Sequence, residues 1–255
     1  MNYPYAFRII LPLLIPILGS IGFAEEWKEF RGPDGQGRSE SMSLPLRWSE
    51  SENVTWKTPI HGDGWSSPVV ADGKIYLTTA VPIDKSEEKA RSLRAISIDA
   101  ENGEILWDQE VFRQTGDDVQ IHQKNSHASP TPVLRGERLF VHFGPSGTAC
   151  LTTDGEILWK MNDLKFSPTH GNGGSPALHG DTLIVTCDGA DQQFVAGLSS
   201  SSGEVKWRTD RRATVQKGFS FSTPTLLEVD GKMQAICPGS GAVVAYDPET
   251  GKELW

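Results

Sequence analysis

A glycine followed four residues later by a tryptophan occurs at Gly103 and Trp107, Gly155 and Trp159, Gly203 and Trp207, and Gly251 and Trp255. The tryptophans are 52, 48 and 48 residues apart, and Trp56 stands 51 before the first. A unit of about fifty residues built from short strands makes one small sheet, which cannot bury both of its faces alone, so successive sheets must cover one another. The expected fold is therefore all-β, a propeller-like array of four-stranded antiparallel blades.

The motif's residue types suit a hairpin followed by a seam-filling ring. Asp99 and Asp247 head two copies and Thr152 and Ser199 the others; such side chains accept backbone hydrogens in tight turns. Glycine then supplies a position where positive φ costs little. The tryptophan opens the outgoing strand, where a large flat ring can fill the space between neighbouring sheets. Trp56, Trp107, Trp159, Trp207 and Trp255 are accordingly assigned as blade-docking residues.

Each unit opens on a Ser/Thr-Pro step, at Ser67-Pro68, Thr131-Pro132, Ser175-Pro176 and Thr223-Pro224. Proline lacks the amide donor, so it belongs at a strand's beginning. A glycine turn leads to a second strand such as Lys74 to Thr78 or Thr182 to Thr186, then a third such as Val243 to Tyr246, then the tryptophan strand. The blades span about 59–107, 108–159, 160–207 and 208–255. Residues 53–58 read as an orphan outgoing strand that would complete another blade. Four units and an orphan do not close a ring, so the sequence reads as about four blades of a larger array, either truncated or standing as an open arc with pairing-prone edges.

Residues 1–24 have a different composition. Arg8, an apolar run from Ile9 to Gly22 and small residues before Glu25 follow the plan of a secretory signal. The run, broken by Pro12 and Pro16, is shorter than the roughly 20 residues that span a bilayer. An exported chain in the periplasm or cell envelope, with no transmembrane span after cleavage, is expected; an uncleaved anchor is the alternative. Residues 25–52 form an N-terminal arm. The net charge of −9 and the lack of a basic cluster argue against nucleic acid. Three cysteines, Cys150, Cys187 and Cys237, read as buried thiols, with a Cys187–Cys237 bridge as the lesser alternative.

The repeated turn-plus-tryptophan motif resembles that of the PQQ-like β-propeller repeat proteins, the superfamily of quinoprotein alcohol dehydrogenases and the outer-membrane assembly factor BamB. The resemblance runs over roughly residues 27–255, and the opening Phe30-Arg-Gly-Pro-Asp-Gly is similar to that of exported propellers. It implies an eight-bladed ring. In the dehydrogenases it implies a cofactor at the ring centre beneath an adjacent cysteine pair, with calcium ligands and an aspartate base. No Cys-Cys occurs here, and no stretch matches the calcium ligands or the base.

Long loops on one face are where a site is expected. They carry His61, Asp63 and Trp65 before the first unit; Lys124, Asn125 and His127 before the second; His170 and Asn172 before the third; and Lys217 and Phe219 before the fourth. Two readings stay open, a polar, aromatic-lined pocket for a peptide or small ligand and turn-capping loop residues. No histidine pair has metal-ligand spacing. Asp188-Gly-Ala-Asp-Gln-Gln193 lacks the further acidic ligands of a calcium loop and reads as a hairpin loop, and Glu87-Glu-Lys89 as a solvated tip. The expected function is a noncatalytic propeller binding another envelope protein or a peptide, with no catalytic residue, metal or cofactor assigned. The alternative is a dehydrogenase using PQQ and calcium, and a polysaccharide-binding envelope propeller is a third possibility.

Overall fold

A computed structural model describes residues 26–33, 35–42, 44–83, 90–115 and 121–255. The leader expected over residues 1–24 and the acidic tip at residues 87–89 lie outside the described residues.

Fifteen strands form four antiparallel sheets, and the helical content of the described residues is one 3-10 turn at Gly144–Ser146. The first sheet runs β1 (Val69–Ala71), β2 (Lys74–Pro82), β3 (Arg91–Asp99), β4 (Ile105–Gln114) in consecutive order. The second repeats it with β5 (Val133–Arg135), β6 (Arg138–His142), β7 (Thr148–Thr152) and β8 (Ile157–Met161). The third follows with β9 (Ala177–His179), β10 (Thr182–Asp188), β11 (Gln193–Ser199) and β12 (Val205–Asp210). The fourth holds three strands, β13 (Thr225–Val229), β14 (Lys232–Pro238) and β15 (Val243–Tyr246). This is a partial β-propeller of up-and-down sheets.

Each sheet alone is two-sided and thin, so its apolar residues are buried only where the next sheet covers them. Three clusters do this. Val69, Leu93 and Tyr76 meet Leu134, Leu139 and Leu151 between the first and second sheets. Phe140 and Cys150 meet Leu183 and Phe194 between the second and third. Ile184 and Val195 meet Ala235, Cys237 and Tyr246 between the third and fourth. The three cysteines are free and buried. Cys187 and Cys237 sit in different seams, which is why they do not bridge.

The tryptophans lock these seams from the outside in a repeated way. The indole Nε1 of Trp56 donates to Ala100 O at 3.0 Å, Trp107 to Thr153 O at 2.9 Å, Trp159 to Ser200 O at 3.0 Å and Trp207 to Pro248 O at 3.1 Å. Each acceptor is the second residue of the following unit's turn motif. The ring then lies on that motif's glycine: a Cβ on Gly103, Gly155, Gly203 or Gly251 would stand 2.5, 2.9, 2.5 or 2.3 Å from the indole. Glycine is thus required twice, for φ between 69° and 89° and for the ring's approach.

A recurring β-bulge sets up this contact. Pairing shifts by one residue just before Trp107, Trp159 and Trp207, leaving Leu106, Leu158 and Lys206 without a partner in register. A bulge sharpens local twist and re-aims the next side chain. The residues opposite the three indoles are small, Ser97, Cys150 and Gly197. At the inner side a second link repeats: Ser67 N donates to Thr131 Oγ1 at 3.0 Å, Thr131 N to Ser175 Oγ at 2.9 Å and Ser175 N to Thr223 Oγ1 at 3.0 Å.

One expectation is corrected. Residues 54–60 form no strand; the segment is held instead by Trp56 and by Thr58 Oγ1 donating to Gly103 O at 2.5 Å. A strand needs a neighbour to ladder with, and none is beside it among the described residues. At the other end, Trp255 places its Nε1 on Gln234 Oε1, and residues 252–255 join the fourth sheet through the Tyr246–Glu253 bridge and the bonds of Ala245 to residues 254 and 255.

Trp159→Ala should lower stability by about 3 to 5 kcal/mol in urea unfolding, because it opens a cavity at a seam. Trp48→Ala, at an indole 69% exposed in the N-terminal arm, should change it by less than about 0.5 kcal/mol, as exposed substitutions do. Equal effects of the two would contradict the docking geometry.

Candidate functional site

The loops joining second to third strands, and those leading from each tryptophan strand to the next Ser/Thr-Pro step, share one face. Residues 121–129 and 168–174 meet there. Asn125 ties them: its Nδ2 donates to His170 O at 2.9 Å while its Oδ1 accepts from Ser126 N at 2.9 Å and Ser129 Oγ at 2.5 Å. His122 N also donates to His170 O, at 3.3 Å. With both its side-chain ends engaged, Asn125 fixes the loops and leaves recognition to its neighbours.

The rings gathered by this tie form a cluster. His170 meets His122 edge-on at 5.2 Å between ring centroids and Phe219 edge-on at 5.1 Å, and lies near parallel to Phe221 at 6.5 Å. Gly173 lets Phe221 lie against its backbone, since a Cβ there would come within 3.2 Å of the Phe221 side chain. A cavity of about 340 Å³ opens beside these rings, walled by His122, Lys124, Asn125, His170, Gly173 and Phe221. Lys124 N donates to His122 Nδ1 at 3.1 Å, so the neutral ring of His122 carries its proton on Nε2. The cavity thus combines aromatic walls with an ammonium at its rim.

The expected site residues separate into groups. Lys124 and His170 wall the ring-lined cavity, and His127 and Asn172 stand around a smaller one of about 10 Å³, next to Gln114 and Ser126. His127 Nδ1 bonds Gln114 Oε1 at 2.9 Å. His61 stands apart, its Nε2 2.9 Å from Asp108 Oδ2, and Asp108 is in turn held by Arg94 at 2.6 Å. Asp63 bridges to Ala80 through its backbone. Trp65 is 59% exposed, and Lys217 is exposed outside both cavities. His122 and Phe221 were not among the expected residues; each lies two positions from a named one, Lys124 and Phe219, and only the loop geometry turns them to the same space.

Asp188, the first residue of the Asp188–Gln193 loop, is committed to an ion pair. Its carboxylate takes a two-pronged contact from Arg211, Nε to Oδ1 at 2.7 Å and Nη2 to Oδ2 at 3.1 Å, and both side chains are buried. Arg211 Nη1 also donates to Cys237 O at 3.0 Å, which carries the pair across to the fourth sheet. Burial pushes the Asp188 carboxyl upward and Arg211 opposes it. Asp191 Oδ1 accepts from Ser167 N at 2.8 Å. The segment is a hairpin loop. Among the described residues no group of three His, Cys, Asp or Glu side chains could hold a metal ion.

With this geometry in hand, relatives can be compared. A family model described as "Outer membrane protein assembly factor BamB" matches residues 47–160 and 94–255, two stretches whose starts differ by one repeat. The chain belongs to this family of PQQ-like repeat propellers. No curated protein sequence matches significantly. Among solved structures, a quinohemoprotein alcohol dehydrogenase from Comamonas testosteroni superposes with a TM-score of 0.54 at 16% identity, over 76% of this chain and 35% of that one. The quinohemoprotein alcohol dehydrogenase ADHIIG from Pseudomonas putida HK5 gives 0.52 at 13% identity, over 78% and 34%. BamB from Moraxella catarrhalis gives 0.45 at 18% identity, over 75% and 48%. The chain spans about a third of the length of the two dehydrogenases. The two dehydrogenase likenesses agree with the propeller fold. No helix among the described residues is long and apolar enough to cross a membrane.

Two histidines near the loop face give the fold a pH dependence. Burial pushes His142 down to about 4, and it pushes His127 down to about 4 with Arg91 adding and Asp63 opposing. Their folded values lie below the ordinary 6.5, so the unfolded chain takes up protons first as pH falls. Stability should be complete above about pH 6.5 and decline towards pH 4, by up to about 1.4 kcal/mol per pH unit for each histidine. His142→Gln should roughly halve that slope in urea midpoints measured between pH 7 and pH 5. Asp188→Ala, which leaves Arg211 buried without its partner, should cost about 3 to 5 kcal/mol at neutral pH.

Proposed function

We propose that this chain acts as a noncatalytic protein-binding propeller of the cell envelope, receiving a peptide segment of its partner in the ring-lined cavity of the loop face. The observation that carries this reading is the cavity itself: His122 and His170 offer rings on loops anchored by Asn125, Phe221 adds a ring from the loop before β13, and Lys124 supplies a charge. Rigid rings held on anchored loops bury area with little loss of side-chain freedom, which favours them as interface anchors. Phe221 is 45% exposed, so it can cover a partner without rearranging the core. The leader-like composition of residues 1–24 and the assembly-factor description of the family model support placement outside the cytoplasm.

The test is a photo-reactive amino acid placed at Lys124 in cells that make the protein. Irradiation should yield an adduct with an envelope protein, and Phe221→Asp should reduce that adduct tenfold or more while leaving the melting midpoint in place. Dye-linked alcohol oxidation above background by the purified protein with added PQQ and calcium would overturn the reading in favour of a dehydrogenase. Absence of any adduct would also overturn it.

A further inference from the structure

The first strand of every sheet, β1, β5, β9 or β13, has a strand neighbour on one side only. The hairpin turn that follows decides which of its backbone groups face the other side. In β1, Ala71 opposite Lys74 closes the turn, so Val70 opposite Ile75 directs its N–H and C=O away from β2. The N-terminal arm takes both: Trp27 N donates to Val70 O at 2.8 Å, and Val70 N donates to Trp27 O at 2.8 Å. One unit on, Leu134 holds the same register opposite Leu139, and its N–H donates to Lys28 O at 2.8 Å.

The repeat places the same geometry twice more. Leu178 lies opposite Leu183, one residue before the closing pair His179–Thr182, and Leu226 lies opposite Ala235, three residues before the closing pair Val229–Lys232; both offsets are odd, so the alternation of the ladder turns both outward as at Val70. Among the described residues, neither Leu178 nor Leu226 has a backbone hydrogen bond to a segment beyond its own sheet. Both line a cavity of about 590 Å³ bounded on its other side by arm residues Glu29, Phe30, Arg31, Pro33 and Gly35. Arg31, Arg135 and His179 line it too, and Glu29 is the acidic residue among the described residues that line it. The cavity shares Gly173 and Phe221 with the loop-face cavity but is walled by different elements, so the inference stands apart from the reading of that face.

We propose that this inner cavity is a second binding site, for an extended segment of another protein that carries an acidic side chain. The segment adds to the edges of β9 and β13 through the backbone groups of Leu178 and Leu226, as residues 27 and 28 add to β1 and β5. Unpaired strand edges are templates for such addition, main-chain bonds supplying affinity and flanking side chains supplying selection. The guanidinium groups of Arg31 and Arg135 favour a carboxylate on the incoming strand.

The probe is a fluorescein-labelled Thr-Val-Glu-Val-Thr amide, compared with a version carrying Lys for Glu and with one N-methylated at both valines. Anisotropy should show saturable binding of the first peptide, weakened tenfold or more by either change. Hydrogen exchange should slow at the amides of Leu178 and Leu226 when it binds. Leu226→Pro removes the inward N–H without removing a bond to β14, so it should keep the melting midpoint and lose affinity tenfold or more. If that variant fails to fold, the N-methylated peptide on the unaltered protein decides the same question. No saturation up to about 1 mM, equal binding of the N-methylated peptide, or protection at other amides would overturn the proposal.

Discussion

The contact of an indole with the glycine of the next unit's turn is the constraint on which this architecture rests. A four-stranded sheet is too thin to shield its own faces, and what stabilises the array is burial between sheets. The indole contact fixes that burial at the outer edge. Its N–H donates to a turn carbonyl, and its ring covers backbone that a Cβ would push away. The small residues opposite each indole and the bulge before it are the adjustments that bring the ring down onto the turn.

The inner edge is held by different chemistry. There the Ser/Thr hydroxyls of the Ser/Thr-Pro steps accept amides from the preceding unit, one link per seam. The proline removes a donor that the strand start has no acceptor for, and the hydroxyl before it supplies an acceptor to its neighbour. Fixed at both edges, the sheets carry loops on one face whose positions are set by the scaffold. That is what allows residues 121–129 and 168–174 to meet and Asn125 to join them.

Charge is handled locally in the same spirit. Asp188 and Arg211 form a buried pair between the third and fourth sheets, with the guanidinium also bonded to a carbonyl of β14. A buried pair of this kind is costly to break and specifies one relative placement of the two units. A sequence that places Asp188 in an Asp-rich loop gives no hint of this partner, which comes from 23 residues further on. The same holds for His122 and Phe221. Each is an ordinary loop residue in sequence, and each reaches the cavity only because the loops cross.

The sequence by itself determined the class of fold and the identity of the locking residues. Glycine at a positive-φ turn and tryptophan at a fixed distance after it are local requirements, visible without knowing where the chain goes. It also marked the strand starts, since proline's missing donor is a local property. What only the tertiary structure decided is which side chains share a space. Residues 53–58 have a strand's composition yet form none, because laddering needs a partner that local sequence cannot supply. His61, His127 and His170 hold comparable places in successive repeats, yet one binds an aspartate, one a glutamine and one a cluster of rings. Repetition fixes backbone position, while the neighbours reached across a seam or loop fix chemistry.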